Sequence, residues 1–372
     1  MIEFRNVSYS YPNDAAENLR NINLQIGPGE FIVITGKSGC GKTTLSKCIN
    51  GLIPYFHEGE LTGDALIGGV NTKQMALHEI GAKVGSVFQD PRAQFFTTNT
   101  TDEVAFGCQN MGLAREEVWA RVDEAFATLN IEDLRDQSIF HISSGEKQKI
   151  AIASCRAMRP CIYLLDEPSS NLDIGAIGRL TGILGRLKQA GYSIVVMEHR
   201  LYYLRGLADR ILYMEKGEIV QSFTADQFAA LAEERLAAMG LRSFDLRFLP
   251  FRQHNYPINS GLTLEAKHLA FTYPGRNPRR KRCGQKPPEK LLNDTCFLAN
   301  GGEVIGITGK NGAGKTTLAR LLTGLIQEKD GVVLLNGEKI RPQARLGHCY
   351  FVMQDSDYLL YMLQRFTLLA DE

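Results

Sequence analysis

The 372-residue chain has no run approaching the roughly 20 consecutive apolar residues that span a bilayer, so any membrane role must come through a partner. It also lacks a charge imbalance: net charge is +1, and no global field draws it to nucleic acid or to anionic lipid. Paired cysteine spacing is missing as well. The eight cysteines are scattered, with Cys40 inside a glycine-rich loop and Cys161 against an apolar run, which argues against a disulfide framework and for a reducing compartment. Met1-Ile2-Glu3-Phe4-Arg5 starts directly as a strand, without the charged and apolar regions of a signal peptide. The remaining composition, 44% hydrophobic and 22% charged residues, is that of a globular protein long enough for two domains.

What is present is organised around Gly36-Lys37-Ser38-Gly39-Cys40-Gly41-Lys42-Thr43-Thr44, which has the spacing G-x-x-x-x-G-K-[ST] of a phosphate-binding loop. The preceding Phe31-Ile32-Val33-Ile34 reads as a buried strand, and Leu45 to Gly51 as a helix. Glycines let backbone N–H groups turn inward around a polyphosphate, and the helix opening there adds its positive dipole end. In such a loop Lys42 reaches the β- and γ-phosphates of ATP, and the Thr43 hydroxyl ligates Mg²⁺.

Five further stretches carry polar residues at strand ends or helix starts. Tyr11 either stacks on an adenine ring or is an aromatic of a half-buried strand. Val84 to Phe88 reads as a buried strand ending in Gln89 just before Asp90-Pro91, at the edge where open α/β sheets bind ligands; by itself such a glutamine is more often a loop residue than a metal ligand. Ser143-Ser144-Gly145 before a helical run reads as an N-cap, and a capped N-terminus can receive an anion although most bind nothing. Cys161 to Leu165 ends in Asp166-Glu167. Two adjacent acids at the end of a buried strand repel without a cation, so Asp166 suits a Mg²⁺ shell and Glu167 a base for an attacking water. Ser193 to Met197 repeats the design and ends near His199, either a surface residue or a γ-phosphate contact. Residues 101 to 136 read as helical, with Val118, Val122, Ala125, Phe126 and Leu129 as core. Thr224 to Gly240 reads as one alanine-rich helix.

The chain divides into residues 1–240, a linker over 241–261, and 262–372, where the pattern restarts. Phe271-Thr272-Tyr273-Pro274 echoes Tyr9 to Pro12, and Gly301 to Thr308 echoes the buried strand before the first loop. Gly309-Lys310-Asn311-Gly312-Ala313-Gly314-Lys315-Thr316-Thr317 is a second phosphate loop, and Val352-Met353-Gln354-Asp355 echoes the segment around Gln89. Thr316 and Gln354 stand where Thr43 and Gln89 serve the metal. An insert from Arg276 to Lys290 is basic but has no interleaved aromatics, so it reads as a solvated loop rather than a nucleic-acid patch. After Gln354 no second Ser-Gly cap, Asp-Glu strand end or His strand tip follows.

Taken in order, these motifs resemble those of ABC-type ATPases: Tyr11 the A-loop aromatic, Gly36 to Thr44 the Walker A, Gln89 the Q-loop, Ile142 to Glu146 a variant LSGGQ signature, Asp166-Glu167 the Walker B, Asn171 to Asp173 the D-loop and His199 the H-loop. Residues 1–225 and 262–355 carry the likeness. Phe88 to Phe95, with Asp102 to Gly107, is similar to the duplicated ATPases of energy-coupling-factor (ECF) importers of vitamins and metal ions. The resemblance implies an α/β P-loop NTPase with a RecA-like core, an antiparallel β subdomain and a helical subdomain, in tandem with an incomplete second copy. It implies a peripheral ATPase on the cytoplasmic face of the membrane, docked on an integral membrane transport subunit. Two nucleotide domains would sandwich two ATP molecules, with Ser143 and Gly145 completing the opposite site. Ser144 and Glu146 depart from the signature's Gly and Gln; a Ser there still caps, so the expected damage is modest. The missing second signature implies that another ABC subunit or a second copy of this chain completes the site. A soluble ABC ATPase acting on ribosomes or DNA, and an inactive nucleotide-binding remnant, are the competing readings.

Overall fold

The computed structural model describes residues 1–12, 17–245, 259–273 and 291–352. The chain divides into two units, Met1–Pro250 and Phe251–Glu372. The first runs β1 (Ile2–Ser10), β2 (Leu19–Ile26), β3 (Phe31–Gly36), α1 (Lys42–Ile49), α2 (Leu52–Tyr55), β4 (Glu60–Ile67), β5 (Val70–Asn71), α3 (Leu77–Lys83), β6 (Val84–Val87), α4 (Thr100–Asn110), α5 (Arg115–Leu129), α6 (Ser144–Met158), β7 (Ile162–Asp166), α7 (Ile174–Gln189), β8 (Ser193–Met197), β9 (Arg210–Glu215), β10 (Glu218–Thr224), α8 (Ala225–Ala229) and α9 (Glu233–Ala238).

Its strands form two sheets, an antiparallel one in the order β2-β1-β4-β5 and a six-stranded one in the order β10-β9-β3-β8-β7-β6. In the larger sheet β9, β3, β8, β7 and β6 are mutually parallel, and β10 pairs antiparallel with β9. Strands buried on both faces need apolar residues at every position, the reason these strands read as unbroken apolar runs. The period-2 alternation then deals them to two cores. Phe31, Val33, Tyr163, Leu165, Ile194 and Val196 face the core shared with the helices. Ile32, Ile34, Ile162, Leu164, Val195 and Met197 face the core shared with β1, β2, β4 and α1. Because the central strands are parallel, their C-terminal ends emerge on one edge, and the loops after β3, β6, β7 and β8 gather there.

The helical layer follows from spacing. Val118, Val122, Ala125, Phe126 and Leu129 of α5 are all buried, as their helical periodicity predicts. Glu124 accepts charge-assisted bonds from Arg156 of α6 and from Arg159 just beyond it, which pins the two helices. All cysteines among the described residues are unpaired.

Two expectations about the end of this unit need correction. Thr224 to Gly240 is not one helix: α8 stops at Ala229 and α9 starts at Glu233. Alanine propensity favours continuity, but the turn between them lets Phe228, Leu236 and partly buried Leu231 all reach the core, and packing overrides propensity. The stretch 241–261 is also not a plain linker where it is described, since Leu241 and Phe244 are buried in the first unit and the next strand begins at Asn259.

The second unit contains β11 (Asn259–Phe271), β12 (Leu292–Gly301), α10 (Lys315–Thr323), β13 (Asp330–Leu335), β14 (Glu338–Lys339) and α11 (Pro342–Arg345). Its sheet order, β12-β11-β13-β14, repeats that of β2-β1-β4-β5. The irregularities match too: β1 is bulged between Arg5 and Ser8 and β11 between Lys267 and Ala270, with positive φ at Asn6 and His268. The expected buried strand over 301–308 is not formed. Residues 303–310 have no strand partner, and Val304 is 88% exposed. A strand like β3 is buried because β8 and β9 flank it; among the described residues of the second unit nothing plays their part. Gln354, the basic insert and the tail after Asp355 lie outside the described residues.

Two stability outcomes follow. Phe126→Ala removes a fully buried ring from the helical core and is expected to cost the first unit about 3–5 kcal/mol, read as a fall in the urea midpoint of its unfolding. Arg345 is 1% exposed and holds Glu328, so Arg345→Ala leaves a cavity and strips a largely covered carboxylate of its partner. It is expected to cost the second unit about 3–5 kcal/mol, read by hydrogen exchange over residues 315–335.

Candidate functional site

The gathered loops enclose a cavity of about 740 Å³ lined by Lys37 to Gly39, Gly41 to Thr44, Asn18, Gln89, Glu167, His199 and Gly240 to Arg242. Its floor is the turn from β3 into α1. Gly41 caps α1 with φ +104, and a Cβ there would lie 2.8 Å from the Asn18 carbonyl oxygen, so glycine is required on both counts. Gly36 is needed for a different reason: a Cβ would fall 2.1 Å from the Met214 carbonyl oxygen of the neighbouring strand. Lys42 is only 5% exposed, and its Nζ donates to the carbonyls of Gly36 and Lys37, both at 3.1 Å. The Cys40 sulfur lies 3.7 Å from that amine. The ammonium is thus held at the centre of the loop, where the free N–H groups at the start of α1 add to its pull on an anion.

Asp166 ends β7 beneath this loop. It is 8% exposed, the Thr43 hydroxyl hydrogen-bonds its carboxyl, and its Oδ1 has no partner. Burial pushes its pKa up to about 6, a shift that the Glu167 charge reinforces and that Thr43 and Lys42 oppose. A buried carboxyl with an orphaned oxygen beside a hydroxyl and an amide is a hard-oxygen donor set, which fits Mg²⁺ held by Thr43, Gln89 and Asp166 together with nucleotide oxygens. Among the described residues no group of three or more His, Cys, Asp and Glu side chains stands ready to hold a metal unaided.

Glu167 sits just past β7 with φ +42, its backbone N–H bonded to the Met197 carbonyl at 2.8 Å. Its Oε1 lies 3.2 Å from His199 Nε2, and its Oε2 accepts from Gln89 Nε2 at 3.0 Å. The hydrogen bond from His199 holds its carboxyl below the usual range, against the opposing pull of burial, with Lys42 and Arg242 adding their charge. Three strand ends therefore meet on one carboxylate.

Other expected residues stand apart from the cavity. Tyr11 packs edge-on against Tyr9 at 4.9 Å and His57 at 6.0 Å, and its hydroxyl accepts from Lys47. It is not in the cavity lining. Ser143 and Gly145 lie at the start of α6, also outside the lining. Ser143 and Glu146 form a reciprocal capping box: the Ser143 N–H donates to Glu146 Oε2 at 2.7 Å, and the Glu146 N–H to Ser143 Oγ at 3.3 Å. In the second unit Lys315 repeats the Lys42 geometry, its Nζ donating to the carbonyls of Gly309 and Lys310 at 2.8 Å. Tyr273 OH lies 3.3 Å from Thr317 Oγ1, and Thr316 is exposed.

Two contributors had no motif to announce them. Glu198 is buried, accepts the N–H groups of His199 and Arg200 and the Tyr203 hydroxyl, and so fixes the turn that aims His199. A carboxylate closing an apolar strand was its only signal. Gly240 to Arg242 come from beyond the last strand, in a stretch of mixed composition.

The family model for the ABC transporter matches residues 19–170 and 292–366. A protein described as an ABC transporter ATP-binding protein in Treponema denticola is 41% identical over 366 residues, covering 97% of this chain and 72% of the relative. One similarly described in Methanosarcina mazei is 33% identical over 372 residues, covering 91% of this chain and 63% of the relative. Among solved structures, CbiO1 from Clostridium perfringens, part of the ABC transporter complex CbiONQ, is 27% identical with a TM-score of 0.56, over 64% of this chain and 92% of that one. The ATP-binding cassette MJ0796, solved as a dimer bound to ADP and Pi, is 26% identical with a TM-score of 0.52, over 60% and 99%. The chain belongs to the ABC transporter family, as an ATP-binding and ATP-hydrolysing protein that works with Mg²⁺.

Proposed function

We propose that the chain powers a membrane importer of the energy-coupling-factor kind, carrying a vitamin or a metal ion. The observation that carries the catalytic part is Glu167, within hydrogen-bond reach of both His199 and Gln89 at the mouth of a cavity floored by Lys42. The CbiONQ membership of one structural neighbour and the run Phe88 to Phe95 support the importer class. No helix among the described residues is long and apolar enough to cross a membrane, so the chain reaches the cytoplasmic face through an integral membrane subunit.

In this reading Lys42 and the N–H groups of Gly36 to Thr44 bind the phosphates. Thr43, Gln89 and Asp166 hold Mg²⁺, which when bound neutralises charge on the β- and γ-phosphate oxygens. Glu167 takes the proton of the attacking water, and its lowered pKa keeps it ionised for that role. His199 orients Glu167 and contacts the γ-phosphate. Ser143 and Gly145 serve an opposing site, consistent with their separation from this cavity and with the dimeric MJ0796 neighbour. The described second unit contributes a phosphate loop, Gly309 to Thr317, and a second ATPase subunit or a second copy of this chain pairs with the first unit, a reading that the dimeric MJ0796 neighbour supports.

Glu167→Gln should retain ATP binding and lose turnover by about 10²–10⁴-fold, measured by phosphate release with the membrane partner present. Parent-level hydrolysis would remove Glu167 from the role of base. Asp166→Asn should weaken ATP binding in Mg²⁺ by tenfold or more, by about the strength of a charged contact, and change binding in EDTA far less. Equal losses in both conditions would point to a damaged fold instead. Gel filtration of Glu167→Gln with ATP should show a dimer or a complex with another ATPase subunit, and a strict monomer at high concentration would count against the composite site.

A further inference from the structure

The last segment of the first unit closes over the phosphate loop, and no motif accounts for it. Gly240, Leu241 and Arg242 line the same cavity as Lys42, Gln89, Glu167 and His199. The segment is anchored on both sides. Before it, the Tyr213 hydroxyl of β9 donates to the Met239 carbonyl at 3.1 Å, and the Leu241 N–H donates to the Leu236 carbonyl at 2.9 Å. After it, Phe244 packs edge-on against Phe228 at 5.2 Å, and Asp245 pairs with Arg205. Leu241 and Phe244 are buried, whereas Arg242 between them is exposed at the cavity wall. Gly240 has φ +70, and a Cβ there would lie 2.5 Å from Lys37 Cε, so this backbone rests directly on the phosphate-loop side chain.

We propose that this strap supplies a nucleotide contact, the Arg242 guanidinium binding the terminal phosphate of ATP beside Glu167. The inference rests on the ATPase reading above. Arg242 lines the cavity together with Glu167 and His199, the two side chains that mark its reacting end. Lys42 is already sunk in the loop and Lys37 lays its stem on Gly240, so neither covers the outer face of that phosphate. A planar guanidinium pairs with phosphate oxygens through two parallel N–H bonds, a geometry a lysine cannot reproduce. ADP has no γ-phosphate, so the contact discriminates substrate from product.

The test is equilibrium binding of Mg²⁺-ATP and Mg²⁺-ADP to the full chain, in the Glu167→Gln background so that ATP persists. Arg242→Ala should weaken ATP by about tenfold or more, the scale of one charged hydrogen bond, and leave ADP within about twofold. Arg242→Lys should recover part of the ATP affinity. Unchanged affinities in Arg242→Ala, or equal losses for ATP and ADP, overturn the proposal while the ATPase reading stands. A Glu167→Gln chain that binds neither nucleotide overturns both.

Discussion

A carboxyl group that is 8% exposed and has an oxygen without a partner is a costly thing to keep at the end of a core strand. Asp166 is one, and Glu167 beside it is another acid held ionised at the same edge. Burial and mutual repulsion drive Asp166 toward its neutral form, and only positive charge reverses that. The Lys42 ammonium and the Mg²⁺ ion provide that charge from the opposite side, and the Thr43 hydroxyl adds a hydrogen bond to the ionised form. The two acids and the phosphate loop are therefore halves of one electrostatic arrangement. Each half is unfavourable alone: a buried ammonium on one side, a buried carboxyl on the other.

The parallel sheet brings these halves together. The loop after β3 and the acids after β7 lie about 130 residues apart in sequence, with β8 between their strands in the sheet. Parallel neighbours put their C-terminal ends on one edge whatever the length of the crossover. This is why so much of the site was legible. Apolar runs ending in Gln89, Asp166-Glu167 and His199 each carried a polar tip, and a buried run followed by a polar tip is visible without coordinates. What was illegible came from residues whose position depends on three-dimensional anchoring. Glu198 looks like one more acid near a histidine until Tyr203 and two backbone N–H groups are seen to converge on it. Arg242 sits in a stretch of mixed composition, and only the burial of Leu241 and Phe244 shows that this stretch is part of the first unit. Tyr11, which the motif places with the nucleotide, packs edge-on against Tyr9 and His57 beside Lys47.

The second unit separates what a motif specifies from what a fold adds. Lys315 bonds the same two loop carbonyls as Lys42, and Gly314 caps α10 as Gly41 caps α1. The antiparallel sheet is reproduced down to its bulge and its left-handed residues. These are local features, set by residues near in sequence or by a single strand pairing. The strand before the loop is a different matter. Counted back from the first loop glycine, Val304, Ile305 and Ile307 stand where Phe31, Ile32 and Ile34 do, yet they are exposed. Fully burying a Val or Ile side chain is favourable by about 1.5–3 kcal/mol, and the strand backbone gains a ladder of hydrogen bonds only when strands lie beside it. In the first unit β8 and β9 provide both, and they come from chain far downstream of the loop. A phosphate loop can therefore take its shape from nine residues, but the acids that make it an enzyme must be delivered by a sheet, and the same sheet buries the strand that leads into the loop. Burial of that strand and completion of the catalytic edge are one event. Among the described residues, 309–317 have the loop without flanking strands, and Lys315 is only partly buried whereas Lys42 lies at the floor of a cavity.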